Sequence, residues 1–166
     1  MNSSEYGRVD FQIPFDAEAG QNPVRIDRDG IRGVSFAMSV ATLNPRLLWA
    51  QTPDGKIVPA GSFSREVVGV GDTIELFGDG FGAPVIAVVS GDPAPEDAMF
   101  EEFPEITIYS SRQSTLYRPK PIRAGLAPAT IRLSRITIVI PEGLRGAGQV
   151  LVQASGGYSS VYLNIQ

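Results

Sequence analysis

The most constraining feature of this chain is an internal repeat, because the stretch at 9–40 is echoed by the stretch at 136–165. The matched positions are Ile13-Pro14 with Ile140-Pro141, Gly20 with Gly148, Asp29-Gly30 with Gly156-Gly157, and the alternating Val34, Phe36 and Met38 with Val161, Leu163 and Ile165. A repeated strand–turn–strand segment is typical of tandem modules that bury their apolar faces against neighbouring units. The repeat therefore predicts two related β-modules.

Strand-like sequence is distributed unequally around the two copies. The second copy follows the strand-rich stretch 66–135, whereas almost nothing precedes the first. We therefore predict an all-β chain, with a partial module of about three strands at 1–41, a connector at 42–65, and a complete immunoglobulin-like β-sandwich at 66–166. Hydrophobic residues make up 43% of the chain, which is enough to bury a core.

Local patterns support strands in both modules. Apolar residues alternate over 9–15, as in a half-buried strand. Asp29-Gly30 supplies the positive φ angles of a tight hairpin turn. In the second module, 85–89 is predicted to be a short buried strand and 90–104 an acidic, proline-containing insertion.

The stretch at 42–65 is predicted to be a connector because it is rich in turn-forming residues. These turn signals are Asn44-Pro45, Pro53-Asp54-Gly55 and Pro59-Ala60-Gly61. Its apolar patch is Leu47, Leu48 and Trp49. We interpret Trp49 as a plug that seals the junction between the modules, and the alternative is a platform for a ligand.

Four stretches carry a resemblance to a known family. The residues VDFQIPF at 9–15, with the glycines that follow, resemble the end of an immunoglobulin-like repeat near the C-termini of exported acidobacterial (Solibacter-type) proteins. The residues GDTIELFGDGFG at 71–82 resemble the opening of the next repeat, and are also similar to the start of IPT/TIG-type immunoglobulin-like domains. The residues AGLAP at 124–128 and ITIVIPEG at 136–143 resemble its middle and end.

This resemblance implies an extracellular or surface-attached accessory module and brings no catalytic residue with it, because its motifs are structural glycines, prolines and apolar alternation. The chain departs from the family pattern in two places. The first repeat lacks its front half, and the acidic insertion at 90–104 is longer than the pattern predicts.

Most of the residue types that catalysis uses are missing. The chain contains no cysteine and no histidine, which excludes disulfides, thiol nucleophiles, serine–histidine–aspartate systems and histidine-containing metal sites. Glu96-Asp97 and Glu101-Glu102 could in principle flank a glycosidic bond. They lie in the acidic insertion, where solvated carboxylates are the simpler interpretation. We expect no catalytic residue, no cofactor-binding residue and no enzyme activity.

Two kinds of ligand remain open. Calcium prefers clustered carboxylate oxygens, and the candidates for such a cluster are Asp72, Asp79, Asp92, Glu96 and Asp97. Their spacing matches no calcium-binding motif, so no metal ligand is predicted. A sugar-stacking face could instead be formed by tyrosines, namely Tyr109, Tyr117, Tyr158 and Tyr162, of which Tyr158 and Tyr162 are our candidate ligand face. The alternative is that exposed tyrosines merely occupy ordinary strand positions.

Charge is segregated along the chain, whose net charge is −4. The stretch 66–105 holds ten acidic residues and no Lys or Arg, whereas 106–166 holds seven basic residues against Glu142 alone. Neighbouring strands could pair these charges within a sheet, or a dipolar module could attract the next copy head to tail. Nucleic-acid binding is not expected, since the acidic stretch would repel phosphate.

No apolar run of about 18 residues is present, so we expect no membrane insertion. The first ten residues lack the charged start and apolar core of a signal peptide. We nevertheless expect an extracellular or cell-surface location, because the resemblance implies it.

The partial module is predicted to be unable to cover its own apolar face. The expected assembly interface consists of Val9, Phe11, Ile13, Val34, Phe36, Met38 and Trp49. The partial module could pack on the complete module through Leu47, Leu48 and Trp49, or another chain could supply its absent strands. The leading hypothesis is a non-enzymatic structural module acting in assembly, spacing or adhesion, which associates with another copy or with a neighbouring module. The alternative is a carbohydrate- or ligand-binding accessory module of a secreted protein.

Overall fold

Short strands with alternating apolar residues account for nearly all the regular structure. The computed structural model describes residues 9, 11–89 and 91–166. In chain order the strands are β1 (Gly20–Val24), β2 (Asp27–Arg28), β3 (Ile31–Arg32), β4 (Phe36–Val40), β5 (Arg46–Gln51), β6 (Ile57–Pro59), β7 (Phe63–Val68), β8 (Thr73–Asp79), β9 (Ile106–Ser110), β10 (Thr115–Tyr117), β11 (Arg123–Leu126), β12 (Ser134–Val139), β13 (Gly148–Ala154) and β14 (Ser160–Ile165). A single 3-10 turn at Glu142–Leu144 is the helical element of the described residues.

Ten of these strands form two five-stranded sheets that pack face to face, which confirms the predicted all-β sandwich. The front sheet has the order β10-β9-β13-β14-β7, and the back sheet has the order β11-β12-β8-β5-β6. All pairs are antiparallel except β14 with β7, which run parallel.

The core lies between the two sheets because alternate residues of each strand point inward. One row of paired residues crosses all five strands of the back sheet, namely Ala124, Ile136, Leu76, Ala50 and Val58, and each is at most 3% exposed. The facing row of the front sheet includes Ile108, Val152 and Val161, which are fully buried. Burying each such aliphatic side chain contributes about 1.5–3 kcal/mol.

The glycine-rich turn after β8 positions a core aromatic side chain. Phe81 is fully buried beneath this turn. A Cβ at Gly78 would lie 2.5 Å from the Phe81 ring, and one at Gly80 would lie 2.2 Å from the Asn44 carbonyl oxygen. The turn therefore requires glycine for close packing, and it leads into a loop rather than into a helix.

The acidic insertion covers the free edge of β11. Leu126 donates its backbone N–H to the Ala98 carbonyl, and Phe100 donates to the Ala124 carbonyl. Ala98 and Phe100 are buried, while the carboxylates of the insertion point to solvent. Covering an edge strand in this way removes unpaired backbone groups that would otherwise favour aggregation.

Two stretches differ from the sequence-based expectation. The stretch 85–89 forms no strand, and Val85 and Val89 are 65% and 69% exposed, because it runs beside the insertion instead of entering a sheet. The stretch 42–65 contains β5, β6 and the start of β7. It therefore contributes strands to both sheets, and its apolar residues Leu47 and Ala50 belong to the core.

The segment before β5, which we call the arm (residue 9 and residues 11–41), stands apart from the two sheets. Its strands β1 and β4 pair with each other, and β2 and β3 continue the same hairpin toward its tip. Asp29 (φ 52°) and Gly30 (φ 76°) form the predicted turn. The predicted strand at 9–15 is not formed among the described residues, because it has no strand to pair with. The other residues of the predicted partial module, 1–8 and 10, lie outside the described residues.

Candidate functional site

The arm repeats the local geometry of the last part of the sandwich. Gly20 opens β1 opposite Val40, the last residue of β4, just as Gly148 opens β13 opposite Ile165, the last residue of β14. Upstream of each glycine, a proline carbonyl accepts a hydrogen bond from the residue three positions later, at Pro14 (3.1 Å) and Pro141 (3.0 Å). The sequence repeat is therefore also a structural repeat.

The strand pairing corrects the sequence alignment by two residues in the last strand. Phe36, Met38 and Val40 take the places of Val161, Leu163 and Ile165, whereas the sequence pattern had placed Val34, Phe36 and Met38 there. The loop between the paired strands is longer in the arm than in the sandwich, which accounts for the shift. The alternation of apolar residues does not by itself show the length of this loop. One position also changes character: Asn22 stands where β13 has Val150.

Burial separates the two copies. Val161, Leu163 and Ile165 are at most 2% exposed, because the back sheet covers them. Phe36 is 49% exposed, and Met38 and Val40 are only partly covered. The same strand thus lines a core in one copy and faces open space in the other.

A groove of about 530 Å³ marks the place where the arm would have a core. Phe11, Ile13 and Phe15 line it from the segment before the hairpin, and Val40 lines it from β4. Arg46 and other residues at the end of the sandwich complete the wall. Ile138 and Ile140, the counterparts of Phe11 and Ile13 in the second copy, are at most 1% exposed. The apolar residues of the arm therefore form a half-core that no described strand covers.

The arm is attached to the sandwich through its first segment. The Gln12 side-chain amide donates to the Ile131 carbonyl (3.3 Å) and its oxygen accepts from the Gly91 backbone N–H (3.0 Å). The Phe15 ring packs against the core of the sandwich. These contacts hold the base of the groove and leave the hairpin itself free.

Six of the seven predicted interface residues lie in the arm. Val9, Phe11, Ile13, Val34 and Phe36 are between 39% and 91% exposed, and Met38 is partly covered. Trp49 does not lie where we predicted, because it belongs to β5 and its ring stacks on the ring of Phe77 (centroids 5.2 Å apart). Trp49 therefore belongs to the outer face of the back sheet and does not seal a junction.

The charged residues pair locally. Arg135 of β12 contacts Glu75 of β8 at 3.2 Å, and Arg118 contacts Glu105 at 3.0 Å. These pairs join the acidic and basic stretches across neighbouring strands, as the first of our two interpretations predicts. The acids considered for calcium are dispersed instead, and within the described residues the structure groups no three carboxylates that could hold a metal ion.

The turn between β5 and β6 is stabilised by its own side chains. The buried Thr52 hydroxyl donates to Asp54, and Lys56 contacts both Asp54 and Glu66. The hydrogen bond from Thr52, followed by that from Lys56, lowers the pKa of Asp54 below 3.8. The bonds to Glu66 and Asp54 raise the pKa of Lys56 above 10.5.

The two tyrosines of the candidate ligand face lie close together. Tyr158, which is 97% exposed, and Tyr162 both line a hollow of about 400 Å³. Phe63 of β7 joins them, with its ring centroid 4.5 Å from that of Tyr162. Sequence reasoning missed Phe63, because only the parallel pairing of β7 with β14 brings it there. Tyr117 instead packs against the core and donates its hydroxyl to the Gly143 carbonyl (2.7 Å).

Comparison with protein-family models, with curated proteins and with solved structures found no match. Among the residues that the structure describes, no helix has the length and apolar composition that crossing a bilayer requires.

Proposed function

We propose that this chain is a non-enzymatic, immunoglobulin-like structural module of an exported or cell-surface protein, and that it assembles by strand complementation. In this proposal a second copy of the chain supplies a strand to the arm. The resemblance of both copies to an immunoglobulin-like repeat of exported proteins supports the class of protein and its location.

One observation carries the proposal: the arm has the strand pairing of a sandwich hairpin without the strands that bury it. Phe36, Met38 and Val40 take the register positions of fully covered residues and yet are exposed or only partly covered, and Val40 borders the open groove. Exposed apolar surface of this kind, bordered by polar residues, is typical of protein–protein contact sites. A partner that fills the groove would complete the half-core.

The backbone of the arm hairpin provides the second argument. In the C-terminal copy β13 also pairs with β9, and β14 also pairs with β7. In the arm, β1 and β4 have only each other among the described strands. Both outer edges therefore present unpaired N–H and C=O groups, which is the geometry that strand addition uses.

The outer edge of β7 in a second copy is the partner we propose for β4. Within its own chain β7 already pairs with β14, the counterpart of β4, and it ends the front sheet. Val67 of β7 is 46% exposed on the outer face of the front sheet, beside this edge. Pairing β7 with β4 of a neighbour would extend the front sheet from one chain into the next.

Light scattering coupled to size-exclusion chromatography tests the proposal on the full chain. The average mass should exceed that of a monomer and rise with protein concentration. Phe36→Asp should return the chain to a monomer, because a carboxylate on the exposed apolar face of β4 opposes apolar packing. Ile122→Asp is the matched control, since Ile122 is 64% exposed and lies outside the arm. A monomeric wild-type chain at all concentrations would contradict the proposal.

Engineered cysteines test the partner strand directly, because the chain has none of its own. Ala37→Cys in β4 and Arg65→Cys in β7 should form a mixed disulfide dimer when the two variants are combined and oxidised, since paired strands bring Cα atoms within the roughly 4.4–6.8 Å that a disulfide spans. Ile122→Cys mixed with Ala37→Cys is the control and should link poorly. Equal linking in both mixtures would exclude a β4–β7 contact.

A further inference from the structure

One row of side chains crosses the whole outer face of the front sheet. The strand registers align one residue from each strand, in the order Leu116, Tyr109, Leu151, Tyr162 and Phe63. Their neighbours along each strand, such as Ile108 and Val161, point inward and are fully buried. Leu116, Tyr109 and Phe63 are 44%, 43% and 71% exposed, so the row is open to solvent. We call these five residues the stripe.

The rows on either side of the stripe are polar and uncharged. Thr107, Gln153 and Ser160 lie on one side, and Gln149, Asn164 and Val67 lie on the other. None of these eleven residues, all within the described part of the chain, carries a charge. Amides and hydroxyls at these positions can both donate and accept hydrogen bonds. Charged residues lie at the two ends of the stripe: Arg118 pairs with Glu105 beside β9 and β10, and Arg65 stands between Phe63 and Val67 in β7.

The outer face of the back sheet provides a contrast within the same molecule. It also carries an aromatic pair, Trp49 and Phe77, but Arg135 and Glu75 stand in the adjoining positions. The aromatic pair of the back sheet therefore lies beside charged side chains, whereas the eleven residues of the stripe and its flanking rows carry no charge.

The stripe ends in the hollow of about 400 Å³ that Phe63 and Tyr162 share with Tyr158. Arg46 and Ser159 also line this hollow. The Ser159 hydroxyl oxygen is buried and has no hydrogen-bond partner among the described residues. A buried hydroxyl without a partner is costly, so the hollow holds an unused polar group beside three aromatic rings.

We propose that the stripe and its end hollow form a binding platform for a neutral, linear polysaccharide. The apolar faces of sugar rings would lie on Tyr109, Tyr162 and Phe63, and their hydroxyl groups would bond to the flanking amides of Gln149, Gln153 and Asn164. This role is independent of the assembly described above, because it uses the flat face of the front sheet instead of the arm.

The dimensions and the electrostatics both favour this class of ligand. Adjacent strands lie about 4.8 Å apart, so the five residues of the stripe span about 19 Å, which accommodates several linked sugar rings in an extended chain. Tyr109 and Tyr162 are two strands apart, or about 10 Å, a spacing comparable to a disaccharide unit. The stripe and its flanking rows offer no counter-ion to an acidic polymer, and the basic side chains of Arg46 and Arg65 lie at the β7 end, so a neutral polysaccharide is the better match to the length of the platform.

Sedimentation binding assays with insoluble polysaccharides test the platform on the full chain. The probes are microcrystalline cellulose and chitin as neutral polymers, with heparin-coated beads as the charged comparison. We expect binding to at least one neutral polymer and none to heparin. Tyr162→Ala and Tyr109→Ala should each weaken that binding roughly three- to tenfold, and the double variant should weaken it further. Tyr162→Phe keeps the ring and should retain most of the binding.

Trp49→Ala is the matched control, because it removes an aromatic side chain from the outer face of the back sheet. It should bind the polymer as the wild-type chain does, and circular dichroism should verify that every variant is folded. Lack of binding to both neutral polymers, or equal binding by the wild type and the double tyrosine variant, would overturn the proposal.

Assembly through the arm and polymer binding at the stripe should respond to different variants. Phe36→Asp should abolish assembly and leave polymer binding per chain unchanged. Conversely, the double tyrosine variant should keep the wild-type mass in light scattering. The double tyrosine variant could instead keep its polymer binding and show a lower oligomeric mass in light scattering. That result would identify the stripe as a protein contact and would overturn the polysaccharide proposal.

Discussion

The arm hairpin and the C-terminal hairpin share their strand pairing and differ in what covers them. Each begins at a glycine opposite the final apolar residue, and each follows a proline whose carbonyl closes a turn. Leu163 is fully buried, whereas its counterpart Met38 is only partly covered. The repeat therefore encodes a hairpin, and the presence of partner strands decides whether that hairpin becomes part of a core.

This difference has an energetic consequence for local stability. Apolar burial contributes about 25 cal/mol per Å², and the arm forgoes most of it in a single chain. Its hairpin is held by its own ladder, its tight turn and the contacts of Gln12 and Phe15. An isolated two-stranded hairpin is only marginally stable in water. The arm should therefore open more readily than any strand of the sandwich.

Exchanging the one polar position between the copies should produce the largest contrast. Val150→Asn places an amide in the core, and we expect a loss of about 3–5 kcal/mol of unfolding free energy, from lost packing and an unsatisfied polar group. Asn22→Val makes the reverse change in the arm, where the amide of Asn22 donates to the Glu18 carbonyl (2.9 Å). We expect it to change stability by less than about 1 kcal/mol. Urea unfolding of both variants measures the difference in unfolding free energy. Similar losses of unfolding free energy in the two variants would contradict the difference in burial between the two copies.

Truncating the paired apolar residues should produce the next largest contrast. Leu163→Ala leaves a cavity in a fully buried site and should cost about 3 kcal/mol. Met38→Ala should cost less than about 1 kcal/mol in dilute monomer, because the side chain is only partly covered. Thermal unfolding at low protein concentration provides the measurement. A Met38→Ala loss as large as that of Leu163→Ala would show that the arm has a core of its own.

A substitution in the turn of the arm should destabilise the hairpin more than the truncation of an apolar side chain in its strands. Gly30→Val forces a β-branched residue into a positive φ and should destabilise the hairpin by about 1 kcal/mol or more. The loss should appear as faster amide exchange in β1 and β4, with the melting temperature of the sandwich unchanged. Gly146→Ala is a control for strain inside the sandwich. Gly146 lies in a turn before β13, with φ 67° and open space around it. A lower melting temperature for Gly30→Val would mean that the arm and the sandwich unfold together.

The smallest effect concerns the pH dependence of the sandwich. The hydrogen bond from Thr52 lowers the pKa of Asp54 below 3.8 in the folded state. Asp54 therefore contributes stability above its ordinary pKa, and this contribution is lost as the pH falls through the lower folded value. The melting temperature of Asp54→Asn should lie slightly below that of the wild type at neutral pH, and the two should converge in acid. A gap that persists in acid would contradict this role for the Asp54 carboxylate.

Much of the fold could be predicted from the sequence. Alternating apolar residues predict strands because side chains alternate between the faces of a sheet, and the Asp29-Gly30 pair predicts its turn because both residues adopt positive φ. Two predictions were wrong for a common reason. The strand at 85–89 and the role of Trp49 both depended on which strands become neighbours, and neighbours in a sheet are determined by the whole topology.

The candidate sites show the same limit. The exposed apolar residues of the arm were predictable, since the arm contains too few strands to cover them. The stripe could not be predicted, because its five residues come from five strands that lie far apart in the chain. Phe63 in particular meets Tyr162 only through the parallel pairing of β7 with β14.

Hydrogen exchange measured at several protein concentrations is the most direct test of whether strands from a second copy cover the hairpin of the arm. Amides of β1 and β4 should exchange rapidly in dilute solution and become protected as the concentration rises, while amides of β13 and β14 stay equally protected throughout. Arm amides whose exchange does not change with concentration would contradict strand complementation by a second copy.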